Sequence, residues 1–241
     1  MGKTMIYRYS AINTYYRCPK RFEYEYIQGI REEGRNENLE FGTAMHLALS
    51  TYLETSDESA AKQAFGMYWD TCSELKFTRY SHADLREKFD TMFERWVKLH
   101  AKKYTPKFIE KSIEFTVDNH KFQGTPDFVG LYEGVPSVVD FKTSASIYDK
   151  RKIIANDQML LYAHGVSQVT DYAIQQLVYV VFVKYDNRIQ VIKRPLLTQD
   201  LSNVSFTCAE IDDKIRTSKP FIQNKESCGY CPHFTRCHGE E

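Results

Sequence analysis

The sequence predicts a mixed α/β fold in which a central sheet is flanked by helices, and three observations carry that expectation. The apolar period stays near 3.6 up to about residue 101, changes to 2 at Ile113-Glu114-Phe115-Thr116-Val117, and then alternates between the two to the C-terminus. The 241 residues are 42% hydrophobic with 17 Tyr, 15 Phe and 2 Trp, enough for a large core, and hold only 11 Gly and 7 Pro, which excludes disordered and collagen-like chains. One domain with helical additions is expected rather than two independent ones.

The elements follow in order. Ser10 caps a short helix that stops at Cys18-Pro19, and Pro19 suits the first turn of a second. From Leu39 to about Leu53, Phe41, Ala44, Met45, Leu47, Ala48, Leu49 and Tyr52 leave almost no polar face, which predicts a buried helix. Amphipathic helices over about 57–75 and 82–101 resemble a helical insert or lid, the second opened by the capping box Ser81-x-x-Asp84. Ile113, Phe115 and Val117 mark a strand, Asp118-Asn119-His120 a turn, and Phe122 onward a second strand. Val135 to Lys142 reads as a buried third strand after the Glu133-Gly134 turn, followed by a helix over about 153–167. Gln176 to Lys184 turns at Asp186-Asn187 into a strand ending near Pro195, and Thr198 caps a last helix to about Arg216. All strands are expected in one sheet.

Lysine plus arginine equals aspartate plus glutamate at 32 each, so any nucleic-acid surface must be a local patch. No signal-peptide-like run opens the chain and no stretch of ~18 uncharged apolar residues follows. An intracellular protein with no membrane partner is expected, and in a reducing compartment its six cysteines are thiols or metal ligands rather than disulfides.

Two constellations carry chemistry. Asp127, in Gly124-Thr125-Pro126-Asp127, precedes Val138-Val139-Asp140-Phe141-Lys142, where the period of a strand puts Asp140 and Lys142 on one face. Charges at the end of so apolar a strand need partners. A hard divalent cation, Mg²⁺ or Mn²⁺, held by Asp127 and Asp140 would supply one, with Lys142 beside it to orient or deprotonate a metal-bound water and to counter charge on a phosphate. A surface hairpin with an ordinary salt bridge fits the same residues. His46, on the buried helix after Gly42, is a core histidine or a third ligand that would tilt the site toward Mn²⁺, and Gln158 and Tyr162 lie one helical turn apart.

The second constellation is Cys228-x-x-Cys231 with Cys237, a metal signal whose fourth ligand comes from Cys18, Cys72, Cys208, His233 or His238. A Zn²⁺ knuckle and an iron–sulphur cluster suit it equally.

Taken in sequence, Gly42-x-x-x-His46, Gly124-x-x-Asp127, Asp140-x-Lys142 and Gln158-x-x-x-Tyr162 resemble the motif series of the PD-(D/E)XK nuclease superfamily, specifically its RecB-like branch. The opening Tyr15-x-x-Cys18-Pro19-x-x-Phe22 resembles the start of such domains. The resemblance implies a restriction-endonuclease-like core with a helical insert and a C-terminal cysteine cluster. It divides one domain, 1–241, into N-terminal helices (1–37), a helical region (38–104), a nuclease core (105–217) and a cluster tail (218–241). It implies that His46, Asp127, Asp140 and the Phe141 backbone carbonyl hold the metal, that Lys142 is catalytic, and that Gln158 and Tyr162 position DNA and the site. Similarity to CRISPR-associated and AddB-type nucleases implies a [4Fe-4S] cluster on Cys18, Cys228, Cys231 and Cys237.

The expected activity is exonucleolytic hydrolysis of single-stranded DNA ends or overhangs, in recombination, repair or CRISPR-type processing. A helicase or recombination partner and a homo-oligomer are compatible with it. Of three basic groups, Lys3–Arg21, Lys98–Lys107 and Lys150–Lys152, the first is favoured for DNA, through Arg8, Tyr15, Arg17, Lys20 and Arg21. The rivals are a structure-selective endonuclease and a non-catalytic DNA-binding or assembly module.

Overall fold

A computed structural model describes residues 5–30, 36–149, 151, 153, 156–196 and 200–239. In chain order the first elements are β1 (Ile6–Tyr7), α1 (Tyr9–Arg17), α2 (Pro19–Phe22), α3 (Glu37–Thr55), α4 (Glu58–Asp70) and α5 (His82–Leu99). Next come β2 (Tyr104–Ile109), β3 (Ile113–Val117), β4 (His120–Gly124), β5 (Phe128–Tyr132) and β6 (Val135–Ser144). The series closes with α6 (Gln158–Val169), β7 (Gln176–Val183), β8 (Arg188–Pro195), α7 (Ser202–Thr217) and α8 (Phe234–His238). Two compact units result, one of Met1–Gly34, Glu114–Gly124 and Asp200–Glu241, the other of Arg35–Ile113 and Thr125–Gln199.

The larger unit is built on a mixed five-stranded sheet in the order β2-β5-β6-β7-β8. Only β6 and β7 run parallel, with Asp140 opposite Tyr179 and Lys142 opposite Val181. Two parallel neighbours need a crossover, and α6 lies within it. Helix α3 starts where the Asn36 side chain accepts from the amides of Asn38 and Leu39, α4 where Asp57 does the same for Ser59 and Ala60, and α5 where both halves of the Ser81–Asp84 capping box form.

Phe65, Trp69, Phe89, Phe93 and Trp96 of α4 and α5 share one core with Phe41, Met45 and Leu49 of α3 and Phe128, Val139, Phe141, Val178 and Phe182 of the sheet. These helices are therefore a core layer and not a lid standing off it. Helix α3 is less enclosed than its composition predicts, since Leu39 and Leu47 are 60% and 41% exposed on a face that borders a cleft.

Strand β2, absent from the sequence expectation, is an edge strand, where a proline such as Pro106 is tolerated. Its register against β5 shifts between Pro106 and Phe108, a bulge at Lys107. Gly130 on β5 makes room for it: a Cβ there would lie 2.2 Å from the Thr105 carbonyl oxygen and 2.9 Å from the Lys107 nitrogen. Gly130→Ala must push the edge strand outward, and a loss of ~1–3 kcal/mol is expected, read from the urea midpoint at unchanged slope.

The smaller unit carries a second sheet, β1-β4-β3, so the strands are not in one sheet as expected. The run from Phe122 stops at Gly124 and resumes at Phe128, its two halves belonging to different sheets, with the Thr125-Pro126 break between them. Buried Tyr7 donates to Asp212 Oδ1 at 2.6 Å, and Phe22 meets Phe221 at 5.9 Å between ring centroids, which ties the N-terminal helices to α7 and the tail. The expected cap Thr198 lies outside the described residues, and α7 begins at Ser202. Among the described residues no helix is long and apolar enough to cross a membrane.

Candidate active site

Strand β6 fixes the centre of the site. Its pleat sends Phe141 into the core against Trp96 and Tyr104 and leaves Asp140 and Lys142 together on the other face. Lys142 Nζ lies 2.8 Å from Asp140 Oδ2 and 3.0 Å from Oδ1, and 3.5 Å from Gln158 Oε1 at the start of α6. The Gln158 amide in turn donates to the Tyr162 hydroxyl at 3.1 Å, so the one-turn spacing read from sequence becomes a chain of contacts ending on the lysine.

Asp127 enters from the residue before β5. Its Oδ2 accepts from the Phe141 amide at 2.7 Å, and its Oδ1 faces His46 Nδ1 at 3.5 Å. The other imidazole nitrogen, Nε2, is 2.7 Å from the Phe141 carbonyl oxygen. A carbonyl only accepts, so Nε2 carries hydrogen and Nδ1 is the nitrogen presented to Asp127. The Phe141 carbonyl, expected as a metal ligand, here accepts from His46 and orients its ring, which leaves its second lone pair for other contacts.

Burial disfavours charge on His46, but Asp127, with help from Glu110 and Asp140, outweighs it and pushes the imidazole up to about 10. Burial raises the Asp140 carboxyl above the ordinary carboxylate range. Lys142 opposes the shift and Asp127 adds to it. Burial works against the Lys142 ammonium too, yet Asp140 and Asp127 hold its pKa above the usual lysine value. With no cation these groups neutralise one another: two carboxylates face an imidazolium and an ammonium. A divalent ion would displace the imidazole proton and take over that role.

Among the described residues, the close set of three metal-ligating groups is His46, Glu110 and Asp127, whose donor atoms all lie within 4.8 Å of one another. Asp140 stands outside that set, against Lys142. Glu110 was not anticipated, because it follows a strand that the sequence pattern did not reveal. The donors are imidazole nitrogen and carboxylate oxygen, which suit Mn²⁺ or Mg²⁺. A cleft of about 720 Å³ opens beside them, lined by Leu39, Thr43, His46 and Leu47 of α3 and by Glu110, Lys142 and Thr143.

The cysteines converge within the smaller unit. Cys18, Cys228, Cys231 and Cys237 line one cavity with Arg21, Tyr24, Gln223 and Asn224. The Asn224 amide lies 3.4 Å from Cys18 Sγ and the Gln223 side-chain nitrogen 2.9 Å from Cys237 Sγ, while Asn224 and Ser227 side chains both donate to the Arg17 carbonyl at 2.8 Å. Four cysteine sulphurs on one cavity are a donor set that a Zn²⁺ ion or an iron–sulphur cluster would each accept. Cys72 and Cys208 are buried elsewhere, and burial pushes the Cys208 thiol up to about 12, which keeps it protonated and unfit as a ligand.

The residues expected to meet DNA fare unevenly. Arg17 is exposed, and exposed Arg8 reaches Gln123 Oε1 at 2.5 Å. Lys20 pairs with Glu23 and Arg21 with Glu25, both at 2.6 Å. Tyr15 is a correction: it is 6% exposed, packs edge-on against Phe22 and Phe221, and donates to Glu210, so no ring face is open to a base. Its spacing from Ala11 and Ile12 on α1 is that of a buried stripe, the signal that could have placed it in the core. Of the other basic groups, Lys107 lies over the Tyr172 ring at 4.6 Å, and Lys150 and Lys152 fall outside the described residues.

A family model described as the PD-(D/E)XK nuclease superfamily matches residues 9–238. No curated protein sequence matches the chain. Among solved structures it is similar to a candidate exonuclease from Eubacterium rectale, at 14% identity and a TM-score of 0.66, over 95% of this chain and 87% of that one. The structure of SSO0001 also matches, at 16% identity and a TM-score of 0.37, over 92% of this chain and 96% of that one.

Proposed function

The chain belongs to the PD-(D/E)XK nuclease superfamily, and from that premise we propose that it is a divalent-metal-dependent deoxyribonuclease acting exonucleolytically on single-stranded DNA ends or overhangs. The observation that carries the reading is the convergence of His46 from α3, Asp127 from before β5, Asp140 and Lys142 from β6 and Gln158 and Tyr162 from α6, with His46 and Lys142 lining one cleft. A salt-bridged surface hairpin would explain Asp140 and Lys142 alone. It gives no reason for an imidazole and a second aspartate to face them.

His46, Asp127 and Asp140 would hold Mn²⁺ or Mg²⁺. When bound, the cation lowers the pKa of water and neutralises phosphate charge. Lys142 enters as an ammonium, since its two carboxylate neighbours keep it protonated. Its role is therefore to donate to a phosphate oxygen and to hold the attacking water, and not to remove a proton at the outset. Gln158 limits where that ammonium can swing, and Tyr162 limits Gln158. Exposed Leu39 and Leu47 give the cleft an apolar wall suited to unpaired bases, whose faces duplex DNA would hide. The exonucleolytic reading and the [4Fe-4S] cluster on Cys18, Cys228, Cys231 and Cys237 rest on the motif series of the RecB-like branch, and the cavity that all four thiols line is where such a cluster would sit.

End-labelled linear and covalently closed single-stranded DNA, incubated with Mn²⁺, test this together. Linear substrate is expected to be degraded from an end, the circle to survive, and EDTA to stop all turnover. Cutting of the circle would transfer the protein to structure-selective endonucleases. Metal-independent turnover, or binding with no cleavage, would remove the reading.

A further inference from the structure

We propose that Glu110, which lies outside the motif series, is a further ligand of the divalent cation and that the β2 bulge is the device that delivers it. The inference rests on the nuclease reading of the site and adds a residue to it. The pairing of β2 with β5 begins as Tyr104 opposite Tyr132 and Pro106 opposite Gly130, then resumes as Phe108 opposite Val129 and Ile109 opposite Phe128. One extra residue has been absorbed at Lys107. In a strand, a one-residue slip turns every later side chain to the other face, so the bulge decides which side of the sheet residue 110 serves. It also brings that residue level with Asp127, whose carbonyl accepts from the Glu110 amide at 3.1 Å.

The backbone at Glu110 has φ of 46°, in the left-handed region. Glycine or asparagine takes that conformation with less strain than glutamate does, so the turn alone does not call for this side chain. What the glutamate adds is a carboxylate oxygen 3.7 Å from His46 Nδ1, close to the 3.5 Å that separates the same nitrogen from Asp127. A single ion at ~2.2 Å from each donor can bridge atoms up to about 4.4 Å apart, and both separations meet that limit. Two carboxylates held this close repel until a cation joins them.

The test is titration of the full-length protein with Mn²⁺, followed by calorimetry and by the EPR signal of free Mn²⁺, comparing wild type with Glu110→Gln and Glu110→Gly. The first removes the charge at constant shape. The second removes the side chain at a position glycine occupies without strain, so it tests binding in a chain that keeps its fold, verified by circular dichroism in EDTA. Both variants are expected to bind Mn²⁺ at least fivefold more weakly. A dissociation constant within fivefold of wild type in either variant overturns the assignment of Glu110 alone. Absence of Mn²⁺ binding in wild type would overturn it together with the nuclease reading beneath it.

Discussion

Lys142→Ala is expected to lower kcat by ~10²–10³-fold at saturating Mn²⁺, the loss typical of deleting one preorganised donor to developing charge. KM should change little, because substrate is held mainly along the cleft, while Mn²⁺ should bind more tightly once no ammonium competes for Asp140. The site predicts a finer split. Asp140, with a side chain only 2% exposed, now shares its charge with Lys142, and without the lysine its carboxylate is desolvated and unpaired. In EDTA the variant should therefore be less stable than wild type, by up to ~3–5 kcal/mol, and Mn²⁺ should restore more stability to it than to wild type. Asp140→Asn behaves in the opposite way: it removes a hard ligand, so both kcat and Mn²⁺ affinity fall while the apo protein keeps a neutral group of the same shape. Single-turnover rates, Mn²⁺ titrations and thermal melts on the two variants separate these outcomes. A Lys142→Ala protein that cuts within tenfold of wild type would end the proposal that this side chain stabilises the transition state.

The parts of this site that were legible in the sequence are those whose chemistry contradicts their surroundings. Val138-Val139-Asp140-Phe141-Lys142 announces itself because a buried strand has no structural use for two charges, and three cysteines within Cys228–Cys237 exceed what packing needs. Glu110 was illegible for the converse reason. It ends a run, Tyr104-Thr105-Pro106-Lys107-Phe108-Ile109, in which a proline and an extra residue erase the alternation that marks a strand. Its position depends on pairing with β5 and on the missing Cβ of Gly130, neither of which is a local property.

The second sheet was hidden likewise: β1 has two residues, and its parallel pairing of Ile6 with Lys121 joins segments more than a hundred residues apart. Tyr15 shows a different failure. An aromatic among arginines and lysines was read by its neighbours' charge, when the helical period of Ala11, Ile12 and Tyr15 decided its burial.

Cys18→Ser is expected to strip iron from the protein, abolish absorbance near ~400 nm, and expose the tail beyond Lys219 to protease. The smaller unit is assembled from three separate stretches of chain, roughly 90 residues in all, so its N- and C-terminal stretches must be held together by contacts across a long loop. A cluster held by Cys18 and the three C-terminal thiols would close a loop of about 210 residues, and opening that loop would return roughly 5 kcal/mol of chain entropy to the unfolded state. Against that stand a small aromatic cluster of Tyr15, Phe22, Tyr26 and Phe221 and the hydrogen bonds of Asn224 and Ser227 to the Arg17 carbonyl, which offset only part of the loss. Cys208→Ala is the control, since its thiol is buried on α7 and lines no part of the cavity; it should keep the full iron content and colour. Stoichiometric zinc and a colourless wild-type protein after anaerobic purification would replace the cluster by a mononuclear site. Full iron content in Cys18→Ser would instead remove Cys18 from the ligand set and leave His238, 3.6 Å from Cys228 Sγ, as the group next in line.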